Sequence, residues 1–399
     1  MSRLPGTPER ERGRNPGGSS EARMHLVDTT MFFAARGGGV QRYLSAKRAW
    51  LRRHGAARHT IVAPGAADGE AQPGITTLRT RARPRPYGFP FPLRLRAWRR
   101  ALVRLAPDLI EAGDPFTPAW AALRAGQDLG VPAIGFYHSD LVRLVGTRLG
   151  TAAESAAARY VRQLYREFDL VMAPSRYVAS KLRELGLERV VHQPLGVDAS
   201  VFHPGRRDPG LRRALGLPEN TRLLVFAGRF AHEKNLPMLL AAFRKLGPRY
   251  HLLLVGGGME LAPQRNVTVL DFQTREAELA RLVASCDALV HAGAQETFGL
   301  VVLEAMACGL PVVGVAAGGV AELVGERHGV LVRPGSAAAL AEGIEAAYSA
   351  DVAVLGARAR EAVERRYSWD CVMQSLLGIY RQRLLVSSAD GVGEAYALR

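Results

Sequence analysis

Short apolar runs alternate with longer stretches of helical periodicity along almost the whole chain. Positions 24–28, 59–63, 108–112, 131–138 and 169–174 have the length and composition of buried strands, and each leads into a helical pattern. The alternation stops over 193–210, QPLGVDASVFHPGRRDPG, a stretch rich in proline and glycine. It restarts with strand-like runs at 222–228, 250–256, 267–271, 287–292, 311–315 and 329–332. Strand–helix–strand alternation predicts parallel sheets covered by helices, because a parallel connection must cross over the sheet. The chain therefore reads as two α/β halves. The expected layout is a leader over 1–22, a first Rossmann-like domain over 23–198, a second over 199–368, and a C-terminal helix and tail over 369–399. A helix over about 369–385 would cross back to the first half. Ligands of such sheets bind beyond the C-terminal ends of the strands, so two halves facing each other enclose a cleft.

Composition narrows the class. Of the 399 residues, 48% are hydrophobic, enough for substantial cores. Cys286, Cys308 and Cys371 fit no metal or disulfide spacing and read as free thiols of a reducing compartment. Residues 1–22 have no apolar core and read as a disordered leader, not a signal peptide. The most apolar run, 305–321, is broken by Pro311 and four glycines and reads as no membrane span. The net charge of +16 favours anionic partners without choosing among them. Residues 81–105 hold eight arginines and no acid. Within them Leu95, Trp98, Leu102 and Leu105 recur at helical spacing, the pattern of a basic amphipathic helix in an anionic membrane interface. An ordinary surface helix has the same pattern. Nucleic acid is the weaker partner, since no recognition fold or stacking motif accompanies the charge.

The densest candidate chemistry lies at 293–310, GAQETFGLVVLEAMACGL, where a loop of small residues turns into an apolar helix near Phe298. A helix start offers unpaired N–H groups and partial positive charge, a natural phosphate site, and the amides of Phe298, Gly299, Leu300 and Val301 would supply it. Glu296 and Glu304 bracket the start. Eight residues of continuous helix span about 12 Å, beyond the roughly 5–9.5 Å of paired glycosidase carboxylates. They suit clamps at two ends of one ligand; a solvated Glu304 on an amphipathic helix is the rival reading. In LLVFAGRFAHEKN (223–235) a strand-end Arg229 and a helix-start Lys234 both suit a diphosphate. GGGVQRY (37–43) places Gly38 and Gly39 between strand and helix, where backbone can approach a phosphate or sugar, or simply turn. His138 ends a strand in FYHSDL and can bond a sugar or serve a structural role; Asp140 suits a helix cap.

Taken in order, GGGVQRY, the hinge phrase GVDASVFHP, FAGRFAHEKN and ETFGLVVLEAMACGLPVV resemble the retaining family 4 glycosyltransferases of GT-B fold, over roughly residues 24–385. Within that family the chain is most similar to bacterial α-mannosyltransferases that glycosylate lipids. The resemblance implies two Rossmann-like doubly wound domains, the first for the acceptor and the second for a nucleotide-diphosphate sugar, with GDP-mannose as donor. It implies Arg229 and Lys234 on the diphosphate, Glu296 on the sugar hydroxyls, Glu304 on the ribose, Gly38 and Gly39 facing the phosphates from the other lobe, and His138 near the transferred sugar. It further implies no metal and no cofactor, a lipid or glycan acceptor, and a cytoplasmic enzyme peripheral to the inner face of the plasma membrane. One departure stands out: the family's lysine is usually followed by glycine, and here by Asn235. A phosphorylase, a sugar-phosphate synthase and a non-catalytic binder are rivals on the same scaffold.

Overall fold

The computed structural model describes residues 23–33, 38–80, 94–325 and 327–397, with side chains to residue 387. The first half contains β1 (His25–Thr29), α1 (Gly39–His54), β2 (Arg58–Gly65), β3 (Gly69–Gln72), β4 (Ile75–Arg79), α2 (Leu95–Leu105), β5 (Leu109–Ala112) and α3 (Thr117–Leu129). It continues with β6 (Ala133–Phe136), α4 (Leu141–Leu149), α5 (Thr151–Tyr165), β7 (Leu170–Ala173), α6 (Arg176–Glu184) and β8 (Val190–His192). The second half contains α7 (Leu211–Ala214), β9 (Arg222–Phe230), α8 (Leu236–Leu246), β10 (Tyr250–Gly258), β11 (Val267–Leu270), α9 (Glu276–Ala284) and β12 (Ala288–His291). It ends with α10 (Leu300–Ala307), β13 (Val312–Val315), α11 (Gly318–Leu323), β14 (Gly329–Val332), α12 (Ala337–Ser349), α13 (Val352–Arg366) and α14 (Trp369–Ala397).

Two sheets result. The first has eight strands in the order β3-β4-β2-β1-β5-β6-β7-β8, parallel except for the β3–β4 edge hairpin; the second has six, β11-β10-β9-β12-β13-β14, all parallel. This is the GT-B architecture. The central strands are buried on both faces, as parallel strands under crossover helices must be. Their C-terminal ends carry the segments that matter: Thr29 leads towards Gly38, Phe136 to His138, Phe230 to Lys234, and His291 to Glu296. The chain passes between the lobes at Val197, whose N–H donates to the Tyr367 carbonyl at 2.9 Å beside a bridge to Ser368. From there α14 runs back over the first lobe. Trp50 Nε1 donates to Asp370 Oδ1 at 2.6 Å, Gln193 to the Val372 carbonyl at 3.2 Å, and Arg383 to Asp169 at 2.9 Å.

The helix α14 also closes a fully buried ionic cluster under β1 and β5. Lys47 Nζ from α1 lies 2.8 Å from Asp28, 3.1 Å from Glu111 and 2.6 Å from the Tyr380 hydroxyl, and His59 completes the cluster on Asp28. Burial pushes the Asp28 carboxyl up, but Lys47 and His59 outweigh it and hold the group ionised, below the usual carboxylate range. Glu111, with one cation shared between two carboxylates, is raised by burial and by Asp28.

The amphipathic stretch falls differently from the membrane reading. Residues 81–93 lie outside the described residues. In α2 the apolar face is spent on the fold: Trp98 is 1% exposed and Leu102 is 0% exposed, packed with α3 in the first lobe's core. Arg96, Arg100 and Arg104 remain exposed, and Arg99 pairs with Asp128. No described helix is long and apolar enough to cross a membrane.

Removing Lys47 leaves two carboxylates buried without their cation. We expect Lys47→Met to lower stability by about 3–5 kcal/mol, read from urea unfolding; a loss under about 1 kcal/mol would contradict the ionised cluster.

Candidate active site

The helix α10 begins at Leu300, two residues later than the sequence pattern suggested. The cause is Gly299, whose φ of 103° lies in the left-handed region. The Val302 N–H turns back to the Gly299 carbonyl at 2.9 Å. Leu300 and Val301, as the first helical residues, have no intrahelical acceptor for their N–H groups. Phe298 is outside the helix and 4% exposed, its ring against Tyr367. The loop before it rests on two glycines of α11. A Cβ at Gly318 would come 2.6 Å from the Glu296 carbonyl, and one at Gly319 would come 2.7 Å from Phe298 Cα. Gly319 N–H donates to the Glu296 carbonyl at 2.7 Å, fixing the loop's path.

Glu296 lies in this loop and not on the helix. Lys234, at the end of a one-turn 3₁₀ helix His232–Lys234, bonds Glu296 Oε2, and His291 Nε2 at the end of β12 stands 3.3 Å from the same oxygen. Burial pushes the Glu296 carboxyl up, but Lys234 and His291 prevail and hold it well below the usual carboxylate range. Arg229, at the end of β9, is exposed and pairs with Glu233 at 3.3 Å. Asn235 sits at φ 50°, a left-handed conformation that asparagine tolerates and glycine adopts freely. That geometry accounts for the departure noted at this position: the turn needs the conformation, which either residue supplies.

The first lobe meets this surface directly. A Cβ on Gly39 would lie 3.1 Å from Leu300 Cδ1, whereas one on Gly38 would meet nothing within 4 Å, so the glycine loop abuts the α10 start. Thr297 Oγ1 donates to the His138 carbonyl at 2.9 Å. On the α6 side, Glu322 of α11 accepts the Arg176 N–H at 2.8 Å and that of Tyr177, satisfying the start of a first-lobe helix. His138 is buried, stacked on Phe136 at 3.9 Å between ring centroids, with Nε2 unpartnered. Burial lowers its pKa to about 3, with Lys47 adding and Asp28 opposing, so the ring is neutral at physiological pH. Asp140 is the cap of α4, its Oδ1 accepting the Arg143 N–H at 3.1 Å.

Glu304 is deep in α10 and 3% exposed; Arg42 of α1 bonds its Oε1 across the cleft, while Oε2 is buried and unpartnered. Arg42 also approaches Glu276 at 3.8 Å. Arg42, Glu276, His291, Thr297 and the pair Gly318–Gly319 were given no role from the sequence. Arg42 lies in the quoted GGGVQRY motif, but only the folded chain places it beside Glu276 and Glu304.

The two lobes thus converge glycine backbone, a helix start, three cation–carboxylate pairs and a neutral imidazole on one cleft, an arrangement suited to a diphosphate joined to a sugar. The profile for Glycosyl transferases group 1 matches residues 208–365, and that for Glycosyltransferase Family 4 matches residues 37–201. A GDP-mannose-dependent alpha-mannosyltransferase of Mycolicibacterium smegmatis is 33% identical over 287 residues, covering 69% of this chain and 73% of the relative. The chain belongs to glycosyltransferase family 4. It is accordingly a retaining glycosyltransferase that uses a nucleotide-sugar donor. A GDP-mannose-dependent alpha-(1-6)-phosphatidylinositol dimannoside mannosyltransferase of Mycobacterium tuberculosis is 32% identical over 54% of this chain and 59% of its own. Among solved structures, the sucrose-phosphate synthase of Thermosynechococcus elongatus superposes with TM-score 0.76 at 22% identity, over 91% of this chain and all (100%) of that one. Anabaena HepE in complex with UDP and glucose gives 0.71 at 20% identity, over 90% and 100%. At these identities the superpositions speak for the fold of this glycosyltransferase.

Proposed function

We propose that this glycosyltransferase moves mannose from GDP-mannose to a hydroxyl of a membrane lipid or glycolipid, with retained anomeric configuration. The observation that carries the donor half is the junction of the α10 start with Gly38–Gly39 beside Lys234 and Glu296. The mannose and lipid terms rest on the substrates for which the mycobacterial relatives are named. The diphosphate lies against the Leu300 and Val301 amides, with Lys234 and Arg229 turned from their carboxylates onto its oxygens. Glu296, kept ionised, then accepts from sugar hydroxyls, and the unpartnered His138 Nε2 takes a further hydroxyl. Glu304 takes the ribose.

In the reaction the bond from sugar C1 to the phosphate oxygen breaks and the acceptor oxygen bonds C1 on the same face. The departing phosphate oxygen takes the acceptor's proton. Protein assistance is positional and electrostatic, concentrated on the charge that develops on the phosphate. The first lobe presents the acceptor, and its exposed arginines on α2 draw the enzyme to anionic lipid by charge alone, since that helix's apolar face is committed to the core.

A thermal-shift panel of GDP-, UDP- and ADP-sugars tests the donor: GDP-mannose should give the largest rise in Tm, and a larger rise with a UDP-sugar would replace it. Arg229→Ala and Lys234→Ala should each lower kcat by at least about 100-fold with the circular dichroism spectrum unchanged; near-normal turnover in either would refute the leaving-group role. In flotation assays the protein should rise with vesicles containing anionic phospholipid and lose that association at high salt; equal recovery with neutral vesicles would refute the electrostatic attachment.

A further inference from the structure

Arg42 belongs to the first lobe, yet its guanidinium is held by carboxylates of the second. Nη1 bonds Glu304 Oε1, and Nε stands 3.8 Å from Glu276 Oε1. The other Glu304 oxygen is buried without a hydrogen-bond partner. An unsatisfied buried carboxylate oxygen is costly, and one facing a ligand cleft is a natural acceptor for a ligand's hydroxyl. A ribose offers two adjacent hydroxyl donors to a carboxylate; a guanidinium offers a planar fork of N–H donors. The two are alternative occupants of one acceptor.

We propose that Arg42 stands in for the donor's ribose: it bonds Glu304 until the ribose diol displaces it, and so ties occupancy of the nucleoside subsite to helix α1 of the opposite lobe. This rests on the reading of Glu304 as the ribose acceptor. The displaced guanidinium has a partner ready in Glu276, which keeps the exchange from stranding a buried charge. Burial and Glu304 raise the Glu276 carboxyl, and Arg42 opposes them, so a closer Arg42 stabilises its ionised form. The helix α1 is the one whose first residue, Gly39, abuts Leu300, so the side chain released by ribose and the backbone facing the phosphates move on the same rigid element. A ligand gains only the difference between what it forms and what it breaks, and here a ribonucleotide must break an ion pair that a nucleotide lacking the diol leaves in place.

The test is isothermal titration of GDP and 2′,3′-dideoxy-GDP, or of UDP and its dideoxy analogue if the donor panel selects uridine. The proteins compared are wild type, Arg42→Ala, Arg42→Gln and Glu304→Ala, each checked by thermal melting. We expect Arg42→Ala to tighten the ribonucleotide about tenfold and to leave the dideoxy analogue unchanged, with Arg42→Gln, which retains bulk, moving the same way. Weaker ribonucleotide binding in both variants, or an equal change for both ligands, would overturn the stand-in and make Arg42 an ordinary donor contact. Glu304→Ala should abolish the advantage of ribonucleotide over dideoxynucleotide; if that advantage persisted, the ribose role of Glu304 itself would fail, a result separate from that of the Arg42 variants.

Discussion

In the structure, the cations of the candidate site already hold carboxylates. Lys234 bonds Glu296, Arg229 bonds Glu233, and Arg42 bonds Glu304. Bringing charge of one sign into a half-buried cleft costs desolvation and repulsion. Pre-pairing removes that cost and keeps each side chain near its working place. In the proposed function, donor binding is an exchange of partners: phosphate oxygens take Lys234 and Arg229, Arg42 passes to Glu276, and the freed carboxylates turn to sugar and ribose hydroxyls. The backbone amides of Leu300 and Val301 have no such rival, so the start of α10 is the fixed part of the proposed anion site.

That fixed part depends on parallel topology. Both sheets send the C-terminal ends of their strands to the cleft, and glycine lets the two backbones meet there. The first lobe is held rigid from behind by the Lys47 cluster, whose last member, Tyr380, comes from the returning helix α14. The ionised groups under His138 and the neutrality of its ring belong to one electrostatic unit, since Lys47 and Asp28 both act on that imidazole.

Much of this was legible in the chain, and the misses have physical reasons. Strands buried on both faces announce themselves as apolar runs, so β1, β2, β5–β7, β9, β10, β12 and β13 were read to within a few residues; β11 and β14, only partly buried, keep enough apolar residues to be read as well. The edge strand β3 is exposed at every position and β8 has three residues, so neither shows an apolar pattern. The start of α10 was placed early because Phe298 continues the apolar run, while the backbone turn at Gly299 decides where the helix can begin. In α2 the spacing of Trp98 and Leu102 was right and its use was not: periodicity reports an apolar face without saying whether core or lipid covers it. The motif spacing singled out Lys234 and Glu296, which the fold does bring into contact, because both lie near turns that glycine and apolar runs mark. Arg42 with Glu304 was invisible, since two residues 262 positions apart share no local pattern.

The central claim is that a helix start in the second lobe and a glycine loop in the first together hold a sugar nucleotide's diphosphate. The most direct measurement is a crystal structure of the protein soaked with GDP-mannose. The account predicts diphosphate density against the Leu300 and Val301 amides, opposite Gly38–Gly39, with Lys234 and Arg229 turned onto it. Density for the nucleotide sugar anywhere outside the crevice between the lobes would contradict it.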